Sequence, residues 1–187
     1  MTLRKKLQIT IVCLSVILCT LVTGTIAWLT DKTGSVTNTF TPSNISISLT
    51  EENKGDNYKF QMIPGKTYAK DPKVTVTTDI PCYVFVKIEK ANGFDDFMEY
   101  TMADGWNELA GITGVYYREV SATDAAAGQG FPVLKDNQVT VKANVTKAMM
   151  DALYADTTKY PTLTFTAYAI QQEGFGTAEL AWAEIPK

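Results

Sequence analysis

The chain has 187 residues, 45% of them apolar, with 17 Lys plus Arg, 20 Asp plus Glu and no His. That is enough length and apolar content for one domain of ordinary size. The missing histidine excludes a Ser-His-Asp triad, a Cys-His pair, histidine-ligated zinc or haem and an HExxH helix, and a formal charge of −3 gives no basic surplus with which to neutralise nucleic-acid phosphates.

The first thirty residues have the order of a secretory signal. Arg4, Lys5 and Lys6 precede the uncharged run Leu7–Val22, and small residues follow it. Thr25 and Ala27 fill the −3 and −1 positions of a cleavage site, which predicts a mature chain starting at Trp28. The alternative is an uncleaved anchor, because Leu7–Leu29 as a helix is about 34 Å long and spans a bilayer of about 30 Å. Either way the positive flank stays inside and the rest is exported. Residues 28–187 carry 14 Lys plus Arg and 20 Asp plus Glu, a net of −6. No polybasic grip on anionic lipid is present, so no stable membrane insertion is expected once the signal is removed. Cys13 and Cys19 leave with the signal. Cys82, in PCYVFVKIE, is then the only cysteine, with no intrachain disulfide possible, and reads as a small core residue.

Threonine occurs 26 times, which favours strands over helices. Residues 28–43 are a polar, Thr-rich leader. Asn44–Thr50 alternates Ile45, Ile47 and Leu49 with serine, the pattern of a half-buried strand. Residues 51–57 form a turn, and Tyr58–Met62 is a short strand candidate stopped by Pro64-Gly65. Lys73–Thr78 alternates again. Cys82–Glu89 is the strongest strand. Cys82, Val84, Val86 and Ile88 share one face, while Tyr83 and Phe85 make the other face apolar at one end, so something must cover it there. Phe94–Met102 suits a strand or a poor helix. Val115–Val120 is a strand, and residues 121–130 are a loop of small residues. Val133-Leu134 starts a short strand able to pair with Gln138–Ala143. Thr146–Tyr154 is a helix with Met149, Met150, Leu153 and Tyr154 on one stripe, capped by Asn144 or Thr146. Thr162–Gln171 alternates as a strand, and Thr177–Trp182 is a short C-terminal helix. With seven to nine short strands and no βαβ rhythm, the expected fold is all-β: an antiparallel β-sandwich or jelly roll with one or two short helices. The expected organisation is a signal peptide at 1–27, a leader at 28–43 and a β-sandwich domain at 44–187.

Chemistry is sparse. No GxGxxG, GxxxxGK[ST] or CxxC occurs. Asp95, Asp96 and Glu99 are the tightest acidic group; calcium takes such oxygens, but the spacing is not that of an EF-hand, and a solvated loop is the simpler reading. Trp106, Tyr116 and Tyr117 suggest a sugar-stacking platform or, more simply, core aromatics. No catalytic residue, cofactor or metal ligand stands out, and a non-catalytic protein is expected.

The stretch GTIAWLTDKTGSVTNTFTPSNISISL (24–49) resembles the N-terminal signature of the TasA/camelysin family of exported Gram-positive proteins. The matching positions are Gly24-Thr25-Ile26-Ala27, Trp28, Asp31, Asn38-Thr39-Phe40 and the strand Ile45–Leu49. MIPGKTYAKDPKVTV (62–76) resembles the family's Pro-Gly turn and following strand. Beyond residue 90 the likeness rests on general β character and on the segments DGW and GVYYREV. The resemblance implies processing by a SipW-type signal peptidase, a jelly-roll domain, and self-association or association with related subunits into fibres of an extracellular biofilm matrix. It also implies that the freed N-terminal segment, Trp28–Phe40, pairs with the sheet of the next subunit. Some members are described as metallopeptidases, but this chain has no His with which to build such a site. The competing expectation is a cell-surface module that binds carbohydrate or protein.

Overall fold

The alternating segments at 44–50, 73–78, 82–89 and 162–171 are strands in a computed structural model of the protein, which describes residues 3–6, 8, 44–52 and 62–186. The chain falls into two units, Met1–Thr41 and Pro42–Lys187. Of the first unit, residues 3–6 and 8 are described; they are helical and exposed. The expected apolar run, cleavage site and leader lie outside the described residues, as does the Tyr58–Met62 strand candidate up to its last residue. No described helix is long and apolar enough to cross a membrane.

In the second unit the described residues form ten strands in three sheets, every pairing antiparallel. The first sheet has the order β1-β3-β8, from β1 (Ser46–Thr50), β3 (Lys73–Thr77) and β8 (Gly130–Pro132). The second has the order β10-β4-β7-β6, from β4 (Cys82–Ala91), β6 (Asn107–Glu108), β7 (Val115–Val120) and β10 (Thr162–Gln171). The third has the order β2-β9-β5, from β2 (Thr67–Ala69), β5 (Met98–Glu99) and β9 (Gln138–Val141).

Period-2 patterning explains how the first two sheets stack. Val74, Val76 and Phe131 from one sheet bury against Val84, Val86 and Val120 from the other, which makes an antiparallel β-sandwich. Each such side chain contributes roughly 1.5–3 kcal/mol through burial. Cys82 lies in this core as a free thiol with no exposed surface.

Four short helices complete the described unit: α1 (Phe94–Phe97), α2 (Ala122–Ala126), α3 (Lys147–Ala155) and α4 (Ala178–Ala183). The cover expected over Tyr83 and Phe85 is α4. Its Trp182 ring centre lies 5.2 Å from that of Phe85 and 5.3 Å from that of Tyr168. Thr177 caps the helix, its hydroxyl accepting from the Leu180 amide. Helix α3 is capped by Thr146, whose Oγ1 accepts from Met149 N. Its Met149 and Met150 pack on the core of the third sheet. Tyr154, expected on the same stripe, points to solvent with 74% of its surface exposed. It lies about 100° around the helix from Leu153, the buried centre of that stripe.

Three details differ from the sequence reading. The small-residue loop at 121–130 contains α2, because Ser121 caps it by accepting from Asp124 N. Phe94–Met102 divides into one helical turn and the short strand β5. Val133-Leu134 does not pair with the strand that follows. The chain instead makes a tight turn at Lys135–Asn137, with Asp136 and Asn137 both at positive φ, and β9 leaves to join β2 and β5.

Candidate functional site

The strand order leaves β10 at an edge of its sheet, hydrogen-bonded among the described residues to β4 alone. It is ten residues long, TLTFTAYAIQ, with no charge and no proline between Thr162 and Gln171. Exposed edges in soluble proteins are usually kept short or interrupted by Lys, Pro or a bulge. This edge carries none of these devices. Its alternation is clean. Leu163, Phe165, Ala167 and Ala169 pack against the sandwich core, and Thr162, Thr164 and Thr166 stand on the other face. Strand β1 is also an edge, paired to β3 alone among the described residues.

Residues of both edges line one groove of about 1550 Å³. Leu49 and Thr50 come from β1, and Thr162–Phe165 come from the start of β10. Leu153 of α3 contributes from a third side. Four large side chains of the groove, Leu49, Ile63, Tyr154 and Tyr160, are exposed.

One ion pair sits among these apolar groups. Lys70 Nζ lies 2.8 Å from Glu51 Oε1 and 5.4 Å from the centre of the Phe165 ring. It ties the chain just after β1 to the segment between β2 and β3, and it holds both against β10.

The residues singled out in the sequence are scattered. Asp95, Asp96 and Glu99 are exposed, and Asp95 pairs with Lys90 Nζ at 2.9 Å. No three His, Cys, Asp or Glu residues come together among the described residues. Trp106 is 8% exposed, and its Nε1–H donates to the Pro132 carbonyl at 2.8 Å. Tyr116 packs on the main core, whereas Tyr117 packs beside Tyr83 and Phe85 on the opposite face of the sheet. Neighbours in a strand point to opposite faces, so these three aromatics form no common platform. Burial pushes the Cys82 thiol up to about 11, away from the thiolate that a nucleophile needs. Burial likewise raises the Tyr100 phenol, which packs on Phe94.

Sequence reasoning gave the strands that bound the groove. It did not give Lys70 and Glu51, which stand 19 residues apart, Glu51 in a segment that reads as a turn and Lys70 outside every predicted element. No protein-family model, curated protein or solved structure matches the chain.

Proposed function

We propose that this protein is an exported, non-catalytic structural subunit of extracellular fibres in a biofilm matrix, at the surface of a Gram-positive bacterium. In this reading a SipW-type peptidase removes residues 1–27, and the freed segment 28–40 of one copy adds as a strand to an open edge of the next. The N-terminal likeness to the TasA/camelysin family and a jelly-roll strand order belong to the same reading. The observation that carries it is the β10 edge: ten uncharged residues, unpaired on one side among the described residues and beside an apolar groove. Strand addition draws affinity from main-chain hydrogen bonds and specificity from alternate side chains. The leader supplies Val36 and Phe40, with threonines between. Asp31 and Lys32, the charged residues of the donor segment, need to face solvent or pair. A contact between the leader of one copy and the edge of another is head-to-tail and does not close, so it propagates a filament.

The test compares three purified forms by electron microscopy at matched concentration: residues 28–187, residues 41–187, and 28–187 carrying Thr164→Lys and Thr166→Lys. The first is expected to form fibres. The second and third are expected to remain folded monomers, because one lacks the donor and the other puts charge on the edge. Fibres from the truncated form overturn the reading.

A further inference from the structure

A second unassigned feature lies where Arg118 of β7 meets Phe131 of β8, outside the lining of that groove. Arg118 of β7 stands opposite Val84, so its side chain falls on the inner face of the sheet, between Tyr116 and Val120. The guanidinium packs on two rings. It lies 4.0 Å from the centre of Phe131 and 5.3 Å from that of Trp106. Both rings are buried, and the Trp106 hydrogen bond to Pro132 fixes one of them. Gly105 closes a third side. A Cβ there would come within 2.9 Å of Arg118 Nη2, so the glycine is what leaves the cation room. The position of this charge is built into the fold.

Its counter-charge is not. Arg118 forms no ion pair among the described residues. Its Nε is the single buried side-chain nitrogen or oxygen among them without a hydrogen-bond partner. The acid whose field reaches it is Asp124, but an Asp124 carboxylate oxygen accepts instead from the Ser121 hydroxyl at 2.8 Å, at the head of α2. Desolvation lowers the guanidinium's pKa, which is the sign of a cation held without compensation. Arg118 as a whole is half-buried: Nε is sealed in, while its two Nη groups are not. Holding a charge this way costs stability that a bound anion returns.

We infer that Arg118 is a receptor for a carboxylate, taken end-on by its two Nη groups. The planar guanidinium matches a carboxylate with two parallel N–H···O bonds. Cation–π contact with two buried rings holds the guanidinium in place, and its Nη groups remain free to bind. A singly charged ligand is favoured over a phosphate, because Asp124 lies near and the exported chain carries a net of −6. Two sources present this group: a small free carboxylic acid, or an Asp or Glu side chain of a second copy. The inference stands apart from the fibre reading, since neither the leader nor β10 takes part in it.

The test is nitrogen-15 NMR of the Arg118 Nε–H, a sealed proton whose slow exchange gives a resolved signal. Sodium acetate is titrated against sodium chloride at constant ionic strength. A shift that saturates with acetate and not with chloride supports a free acid. A shift on dilution of the protein without acetate supports a carboxylate of a second copy. Arg118→Lys, which keeps the charge but loses the planar fork, is expected to abolish acetate stabilisation in thermal unfolding. A signal indifferent to acetate and to protein concentration overturns the proposal. That measurement uses the unaltered protein, so a folding defect in the variant does not blunt it.

Discussion

Lys70 Nζ meets Glu51 Oε1 at 2.8 Å with only 11% and 14% of the two side chains exposed, the most enclosed of the ion pairs among the described residues. Removing one member leaves the other charge desolvated. Glu51→Gln removes the charge from this enclosed contact and is expected to cost about 1.5–3 kcal/mol. Lys87→Met, which breaks the exposed pair to Glu89, is expected to cost little, as surface pairs do. Urea unfolding of both variants checks this. Equal effects would mean that the groove pair is no better sheltered than the surface one.

Trp182 is the residue through which α4 holds the outer face of β4. Its ring touches Phe85 and Tyr168, and Ala178 and Ala181 are buried beside it. Trp182→Ala is expected to cost about 3–5 kcal/mol, as for other large aromatic deletions. Thr177→Ala removes only the cap of the same helix and is expected to cost about 1 kcal/mol. Thermal unfolding with near-ultraviolet circular dichroism checks both; a negligible effect of Trp182→Ala would show that the helix is not needed to seal the sheet.

Local alternation made most of this fold legible. Cys82–Glu89 declared itself because both its faces are apolar at one end, and the strand runs on to Ala91 with α4 over its outer apolar residues. Of the two caps open to α3 in the sequence, Asn144 and Thr146, the fold uses Thr146, while Thr177, expected as the first residue of its helix, is the cap. What stayed hidden was pairing between distant segments. Nothing in Gln138–Val141 says that it bonds to Thr67–Ala69 rather than to its neighbour, since both arrangements satisfy the same period. Asp136 and Asn137 signal the turn but not the partner, because Asp and Asn are common in turns of many kinds. The groove was invisible for the same reason: it exists only once β1 and β10 are brought to one side of the sandwich. Arg118 gave no signal at all, for a charge beside Glu119 at the end of VYYREV reads as solvent-facing.

Gly114 is needed where β7 begins. Its φ is +79°, and a Cβ would stand 2.8 Å from the carbonyl oxygen of Ile88. Its own carbonyl accepts from the Ile88 amide at 2.7 Å, so the two backbones cannot separate without losing that bond. Gly114→Ala therefore faces an unfavourable dihedral and a backbone clash together, and is expected to cost at least about 2 kcal/mol. Hydrogen exchange at the Ile88 amide reports it locally: protection should fall there more than in β3. A variant with unchanged protection would show that the turn relaxes freely.

Cys82 gives the fold a dependence on alkaline pH. Burial raises its thiol from an ordinary 9.0 to about 11 in the folded chain. Between these values the unfolded chain has lost the thiol proton and the folded chain has kept it. Stability is thus fully present below pH 9 and falls as pH rises towards 11, by up to about 1.4 kcal/mol per unit. Buried tyrosines such as Tyr83 and Tyr100 shift in the same direction, so the thiol must be isolated by difference. Cys82→Ala removes it, at the cost of a small cavity that does not vary with pH. The stability advantage of the native chain over this variant, measured by urea unfolding, is expected to shrink by about 2 kcal/mol from pH 8.5 to 11. Native Cys82 is likewise expected to resist iodoacetamide at pH 8 and to react once unfolded. An advantage that stays constant with pH, or rapid alkylation of the folded protein, would mean that the core admits the thiolate.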